Sequence, residues 1–207
     1  MGADLTVTEL SVRRGGRPVI ERLSFTVKAG ELLLLTGRNG SGKTTLLRAL
    51  ALLVPSDTGT IAWAGADVAL DRDAWRARVG WLGHSDGVKG DLTAAENLRA
   101  AQRLQAGVEP DRADIDRALV AFDLATLADR PSRALSAGQR RRVALSRVVL
   151  GKAELWLLDE PLNALDAPAQ QLLTKALAEH LARGGKAIAA THAPLQIAGA
   201  RTLELSA

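Results

Sequence analysis

Residues 31–45 read ELLLLTGRNGSGKTT, and no other stretch limits the fold of this chain so tightly. Four consecutive leucines cannot sit on a sheet with one wet face. A continuous apolar run of this length reads as a strand buried on both sides, as in a parallel sheet covered by helices. The run stops at Gly37, and Gly37–Thr45 fits the spacing G-x-x-x-x-G-K-[ST]. Gly37, Gly40 and Gly42 let backbone N–H groups turn inward around phosphate oxygens. The apolar stretch TTLLRALALL that follows reads as a helix, whose N-terminus adds the positive end of its dipole. Lys43 can reach the terminal phosphates of a nucleoside triphosphate, and the Thr44 hydroxyl can ligate Mg²⁺. The expected phosphate-binding set is Gly37, Arg38, Asn39, Gly40, Ser41, Gly42, Lys43, Thr44 and Thr45.

The remaining pattern tells us what surrounds this strand. LTVTEL and RLSFTV alternate like half-buried antiparallel strands, and GTIAWAG is a further short strand. ARVGWLG, AELWLLDE and KAIAATH read as buried strands, and ARTLELS as the last strand. Helices are expected at GQRRRVALSRVVL and at PAQQLLTKALAEHLARGG, the latter closed by Gly184. From Leu92 to Leu127 no strand is expected. LTAAENLRAAQRL and DRADIDRALVAFDL have helical spacing, and Thr93 with Glu96 makes a capping box. The expectation is one α/β domain spanning residues 1–207. It has a mostly parallel sheet, an N-terminal antiparallel β subdomain and an inserted helical lobe at about 85–138. Ligands of such sheets bind at the carboxyl ends of the strands.

Composition removes several alternatives. The 207 residues include no cysteine, which rules out disulfides, thiolate metal sites and a cysteine nucleophile. The formal net charge is +4 and aromatics make up 3 %, with only short basic runs. Scattered solvated charge fits this better than a nucleic-acid-binding face. MGADLTVTEL shows no secretory pattern, and no apolar stretch approaches the roughly 20 residues of a membrane helix. We expect a protein that is soluble by itself or peripheral to a membrane.

Two more segments carry chemistry. In LWLLDEP an apolar strand ends in adjacent acids. Asp159 can hold Mg²⁺ through water, and Glu160 can orient and deprotonate an attacking water. In LSAGQRRR a helix begins at Ser136 and Gly138. Its start suits a phosphate, or Ser136 is an ordinary N-cap. Arg140–Arg142 read either as a solvated face or as contacts to nucleotide or to a second copy of the chain.

Together these segments resemble the ATP-binding cassette ATPases over essentially the whole chain. GRNGSGKTT resembles the Walker A loop, and LWLLDE resembles Walker B with its glutamate. Leu135, Ser136, Ala137, Gly138 and Gln139 resemble the signature sequence, Asp166 in NALD the D-loop, and His192 in AATH the switch histidine. The resemblance implies a P-loop NTPase fold and an ATPase using ATP and Mg²⁺, with Lys43, Glu160 and His192 in catalytic roles. It also implies a head-to-tail homodimer, in which Ser136 and Gly138 of one copy contact the ATP held by the other. Separate transmembrane subunits are driven by hydrolysis.

Three positions depart from the family. His84 stands where the family has glutamine, at the end of the strand VGWL, and is expected to reach Mg²⁺ through water rather than to ligate haem. Arg14 stands where an aromatic usually stacks on adenine, and a guanidinium can also stack on a base. Leu52 takes the place of a common glycine, which we read as packing. His180, near a helix C-terminus, is a place where a cation is mildly favoured. Trp63, Trp75, Trp81 and Trp156 read as core or partner contacts.

GWLGHSDGVKGDLTAAENL, with LSAGQRRRVALSR and THAPL, narrows the resemblance to the ATP-binding subunits of bacterial cytochrome c biogenesis haem exporters. That implies a CcmB-like transmembrane partner, other cytochrome c maturation membrane proteins, and a peripheral place on the cytoplasmic face of the inner membrane. The task implied is haem export or release of a haem-loaded chaperone. The alternatives are the ATPase subunit of another transporter and a nucleic-acid-associated ATPase. The single cassette without a charged linker speaks against the latter.

Overall fold

The computed structural model describes residues 3–193 and 195–205. Pro194, within the THAPL stretch, lies outside the described residues. Among the described residues nine strands and six α-helices follow one another as β1 Leu5–Arg14, β2 Arg17–Val27, β3 Leu32–Thr36, α1 Lys43–Leu50, β4 Thr58–Trp63, β5 Ala66–Asp67, α2 Arg72–Arg78 and β6 Val79–Leu82. They continue as α3 Ala94–Ala106, α4 Arg112–Val120, α5 Ala137–Leu150, β7 Leu155–Asp159, α6 Ala167–Ala182, β8 Lys186–Ala190 and β9 Arg201–Glu204. Among the described residues no helix is long and apolar enough to cross a membrane.

The strands form two sheets. One has the order β2-β1-β4-β5, and its neighbours are antiparallel. The other has the order β6-β7-β8-β3-β9, and every pair is parallel. The antiparallel sheet is therefore not wholly N-terminal, because β4 and β5 come after α1 in the chain.

The inner strands β3, β7 and β8 owe their unbroken apolar character to their place in the sheet, whereas the edge strand β9 is mostly exposed. Successive side chains point to opposite faces, and here both faces are core. Leu33, Leu35, Leu155, Leu157, Ile188 and Ala190 join one apolar cluster, shared with α1 and the antiparallel sheet. Leu32, Trp156, Leu158, Ala187 and Ala189 join the other, shared with α5, α6 and the helices that follow β6.

Between β6 and β7 the chain is helical, as its spacing suggests. The capping box at α3 is formed, with Glu96 N donating to Thr93 Oγ1 at 3.1 Å and Thr93 N donating to Glu96 Oε2 at 2.8 Å. α4 ends at Val120, earlier than its pattern suggests, and Asp123 closes the turn at φ 54°.

Three sequence readings need correction. α2 was not anticipated, because seven mostly charged residues show no apolar periodicity. It is held by the Asp71 N-cap, which accepts from Ala74 N, and by buried Trp75, whose Nε1 donates to Leu50 O at 2.8 Å. Leu52 is not explained by packing alone. Its φ is 54°, in the left-handed region that costs a residue with a Cβ, so glycine suits the position for its backbone. His180 is not a helix-end cation. It is buried, stacked on Trp156 with 4.1 Å between ring centroids, and its Nε2 meets Lys186 O at 3.0 Å. Burial pushes its pKa down to about 4, so the ring is neutral at physiological pH.

Candidate functional site

The carboxyl ends of β3, β6, β7 and β8 meet at one edge of the parallel sheet, and a cavity of about 770 Å³ opens there. β3 delivers the loop 37–42, and its residues Asn39, Gly40 and Gly42 line the cavity together with Lys43, Thr44 and Thr45 at the start of α1. The loop needs its glycines. Gly37, Gly40 and Gly42 have φ of 132°, 88° and 97°. A Cβ on Gly37 would stand 2.4 Å from Leu205 O, and one on Gly42 would stand 2.8 Å from Ile20 Cδ1. Lys43 is buried, and its Nζ donates to Gly37 O at 2.7 Å and to Arg38 O at 3.1 Å. The ammonium is thus fastened across the mouth of its own loop.

β7 places Asp159 at its tip, beside Ala190 of β8. The Thr44 hydroxyl donates to Asp159 Oδ1 at 3.0 Å. Asp159 is 2 % exposed, and its Oδ2 has no hydrogen-bond partner among the described residues. A buried carboxylate oxygen without a donor is costly unless a cation or water meets it. Among the described residues no three His, Asp or Glu side chains converge as a ready metal cage. The Thr44 hydroxyl and the unpartnered Asp159 Oδ2 are the kind of oxygens that fit Mg²⁺, which keeps several waters and takes one or two protein oxygens plus substrate phosphates.

Glu160 follows in an unusual conformation. Its φ is 49°, its N–H donates to Ala190 O at 2.8 Å, and its carbonyl accepts from Asn163 N at 3.2 Å. The carboxylate lies 3.5 Å from Nε2 of His192, which is half-exposed just beyond β8. His84, just beyond β6, is exposed and lines the same cavity, as do Arg14 and Val19 from the antiparallel sheet.

Of the residues expected from the sequence, Lys43, Thr44, Asp159, Glu160, His192, His84 and Arg14 therefore share one cavity. Gly37, Arg38 and Ser41 do not line it. Ser41 is buried, and its Oγ has no partner among the described residues.

The segment at Leu135–Gln139 lies elsewhere. Ser136 caps α5, with Gln139 N donating to its Oγ and Gln139 Oε1 accepting from Ser136 N. Ser136, Gly138, Gln139 and Asp166 surround a separate hollow of about 180 Å³. Asp166 caps α6, accepting from Ala169 N at 3.0 Å. Gly138 is needed there, since a Cβ would stand 2.7 Å from Ala164 O.

Sequence reasoning missed Asn163 and Val19 in the cavity wall, and it missed two arginines behind it. Arg141 is 2 % exposed, so neither reading offered for it, solvated face or contact with nucleotide or a second copy, describes it. Arg147 donates to Asp86 O and Gly87 O, both at 2.7 Å, and burial lowers its pKa. Their sequence signal is the apolar run Val143–Leu145 between them, which places both on a helix with a buried face.

The sequence profile of the family described as ABC transporter matches residues 20–163. A cytochrome c biogenesis ATP-binding export protein CcmA from Nitrosococcus oceani is 46 % identical over 204 residues, covering 98 % of this chain and 92 % of that one. Its namesake from Escherichia coli O157:H7 is 43 % identical, covering 98 % and 95 %. Among solved structures, an ABC transporter ATP-binding protein from Pyrococcus furiosus superposes with a TM-score of 0.84 at 27 % identity. That match covers 98 % of this chain and 97 % of that one.

Proposed function

The chain belongs to the ABC transporter family and is an ATPase of its ATP-binding type, and on that premise we propose that it powers a membrane complex of c-type cytochrome biogenesis. The work done is haem export or the release of a haem-loaded chaperone. The chain acts as a homodimer, peripheral to the cytoplasmic face of the inner membrane, with a CcmB-like transmembrane subunit and further maturation proteins. The observation that carries this reading is full-length likeness to proteins named as cytochrome c biogenesis ATP-binding export proteins. The domain unit is residues 1–207, and α3, α4 and the start of α5 form the inserted lobe at about 85–138.

The lining of the cavity supports the following residue roles. The phosphates of ATP lie in the loop 37–45, and the adenine lies toward Arg14 and Val19. Lys43 exchanges its bonds to the Gly37 and Arg38 carbonyls for phosphate oxygens. Thr44 and Asp159 would hold Mg²⁺, with His84 reaching it through water, and the ion would supply positive charge beside the phosphates. Glu160 accepts a proton from the water that attacks the γ-phosphorus, while the bond to the ADP oxygen breaks and leaves ADP and phosphate. His192 holds the Glu160 carboxylate and approaches the γ-phosphate. The second copy closes the site with its Leu135–Gln139 segment, and Asp166 lies along the seam.

The test is deletion of the gene in its host, with covalently bound haem measured in the c-type cytochromes. Complementation by wild type but not by Glu160→Gln is expected. Normal cytochromes in the deletion strain, with no second copy of the gene, would overturn the cytochrome assignment and leave an ATPase of other cargo.

A further inference from the structure

Arg141 is a charged side chain in the interior, and among the described residues its hydrogen-bond partners all belong to the catalytic end of the sheet. Its Nη1 donates to Gly83 O at 2.9 Å and to Asp86 Oδ1 at 3.0 Å. Its Nη2 donates to Asp159 O at 2.8 Å and to Glu160 O at 2.5 Å. One guanidinium therefore grips both sides of the loop that carries His84 and both carbonyls at the tip of β7. We propose that Arg141 is the positioning residue that sets Glu160 and His84 relative to each other and ties both to α5.

Three observations support this. The first is cost. A buried cation is expensive, and a well-packed apolar side chain of similar volume often serves stability as well or better. Arg141 has one carboxylate partner, Asp86, and its other acceptors are three backbone carbonyls. A planar fork with fixed donors can hold such a set together, whereas an ammonium is a point charge.

The second is strain. The left-handed backbone at Glu160 is disfavoured for a residue with a Cβ, and it persists only where the surroundings over-determine it. The Glu160 carbonyl accepts from Arg141 while its N–H is held by Ala190 O. The peptide units on both sides of the carboxylate are thus fixed from two directions.

The third is the helix. α5 begins at Ser136, beside the hollow that contains Asp166, and Arg141 stands within its second turn. Farther along α5, Arg147 holds Asp86 O and Gly87 O, so the His84 loop is fastened to α5 at two points. A displacement of α5 is carried into Glu160 and His84 together. No hydrogen bond of Arg141 reaches Gly37–Thr45 among the described residues. Nucleotide binding and chemistry should therefore respond differently to its loss.

The inference rests on the role assigned to Glu160. The experiment measures kcat and KM for ATP hydrolysis by the full chain assembled with its membrane partner, and the affinity of a fluorescent ATP analogue. The variants are Arg141→Ala, Arg141→Lys and Glu160→Gln. For both Arg141 variants we expect kcat to fall about 100-fold, as for a reacting group displaced by an ångström, with analogue affinity changed less than about threefold. Free guanidinium ion, well below denaturing concentration, should restore part of kcat in Arg141→Ala, where the space is open, and not in Arg141→Lys.

Wild-type kcat in Arg141→Lys would overturn the requirement for the fork. Parallel loss of analogue affinity, melting temperature and kcat in both variants, without guanidinium rescue, would reduce Arg141 to a structural part. An active Glu160→Gln would remove the role of Glu160 and this inference with it. An inactive Glu160→Gln beside fully active Arg141 variants would remove this inference alone.

Discussion

A methyl group added at Gly185 would stand 2.3 Å from Cε1 of His180 and 2.4 Å from its Nε2. Gly185→Ala must push the imidazole off Trp156, and we expect a loss of about 1–3 kcal/mol in urea unfolding at pH 7. The same ring makes stability depend on pH. The folded-state pKa of His180 is lowered from 6.5 to about 4, first by burial and then by Arg183 and Lys186, against the opposing hydrogen bond to Lys186. The unfolded chain takes up a proton that the folded chain refuses. This contribution to stability is complete above about pH 6.5 and falls as pH drops toward 4, by up to roughly 3 kcal/mol. His180→Phe should flatten that slope between pH 7 and 4.5 when unfolding midpoints are compared. Neither the neutral ring nor the interior site of Arg141 was legible in the sequence. Both depend on contacts between segments far apart in the chain, which local pattern does not record. The motif residues Lys43, Thr44, Asp159 and Glu160 were legible because their spacing to a strand end or a helix start fixes their position.

Among the elements, those built on one strong local signal were read closely. The box at α3 needed only Thr93 and Glu96, and the inner parallel strands β3, β7 and β8 needed only their apolar runs. α2 was missed because its anchor, Trp75 against Leu50 O, is a tertiary contact. Removal of a cap on an exposed helix start has a known scale. Thr93→Ala should cost about 1 kcal/mol in denaturant midpoint, with the slope of the transition unchanged. α5 differs, since its cap residue Ser136 stands beside Asp166 rather than in the first cavity. Ala137→Arg places a long cation on an exposed position next to that cap. It should leave ATP-analogue binding to one copy intact and abolish hydrolysis, as read in paired binding and phosphate-release assays.

Across the whole molecule, the parallel order of β6, β7, β8 and β3 brings segments from opposite ends of the chain to one edge. Glu160→Gln tests the consequence. Loss of proton acceptance should lower kcat by about 10²- to 10⁴-fold, and a chain that binds ATP without splitting it should elute as a dimer with ATP and not with ADP. The parallel sheet has another consequence. β3, β7 and β8 contribute alternate residues to both apolar clusters, so each strand is a wall common to two interiors. Neither interior can be exposed to water while the other stays closed. Heat should therefore melt the antiparallel sheet, the helices and the nucleotide edge in a single cooperative transition, with calorimetric and van't Hoff enthalpies equal.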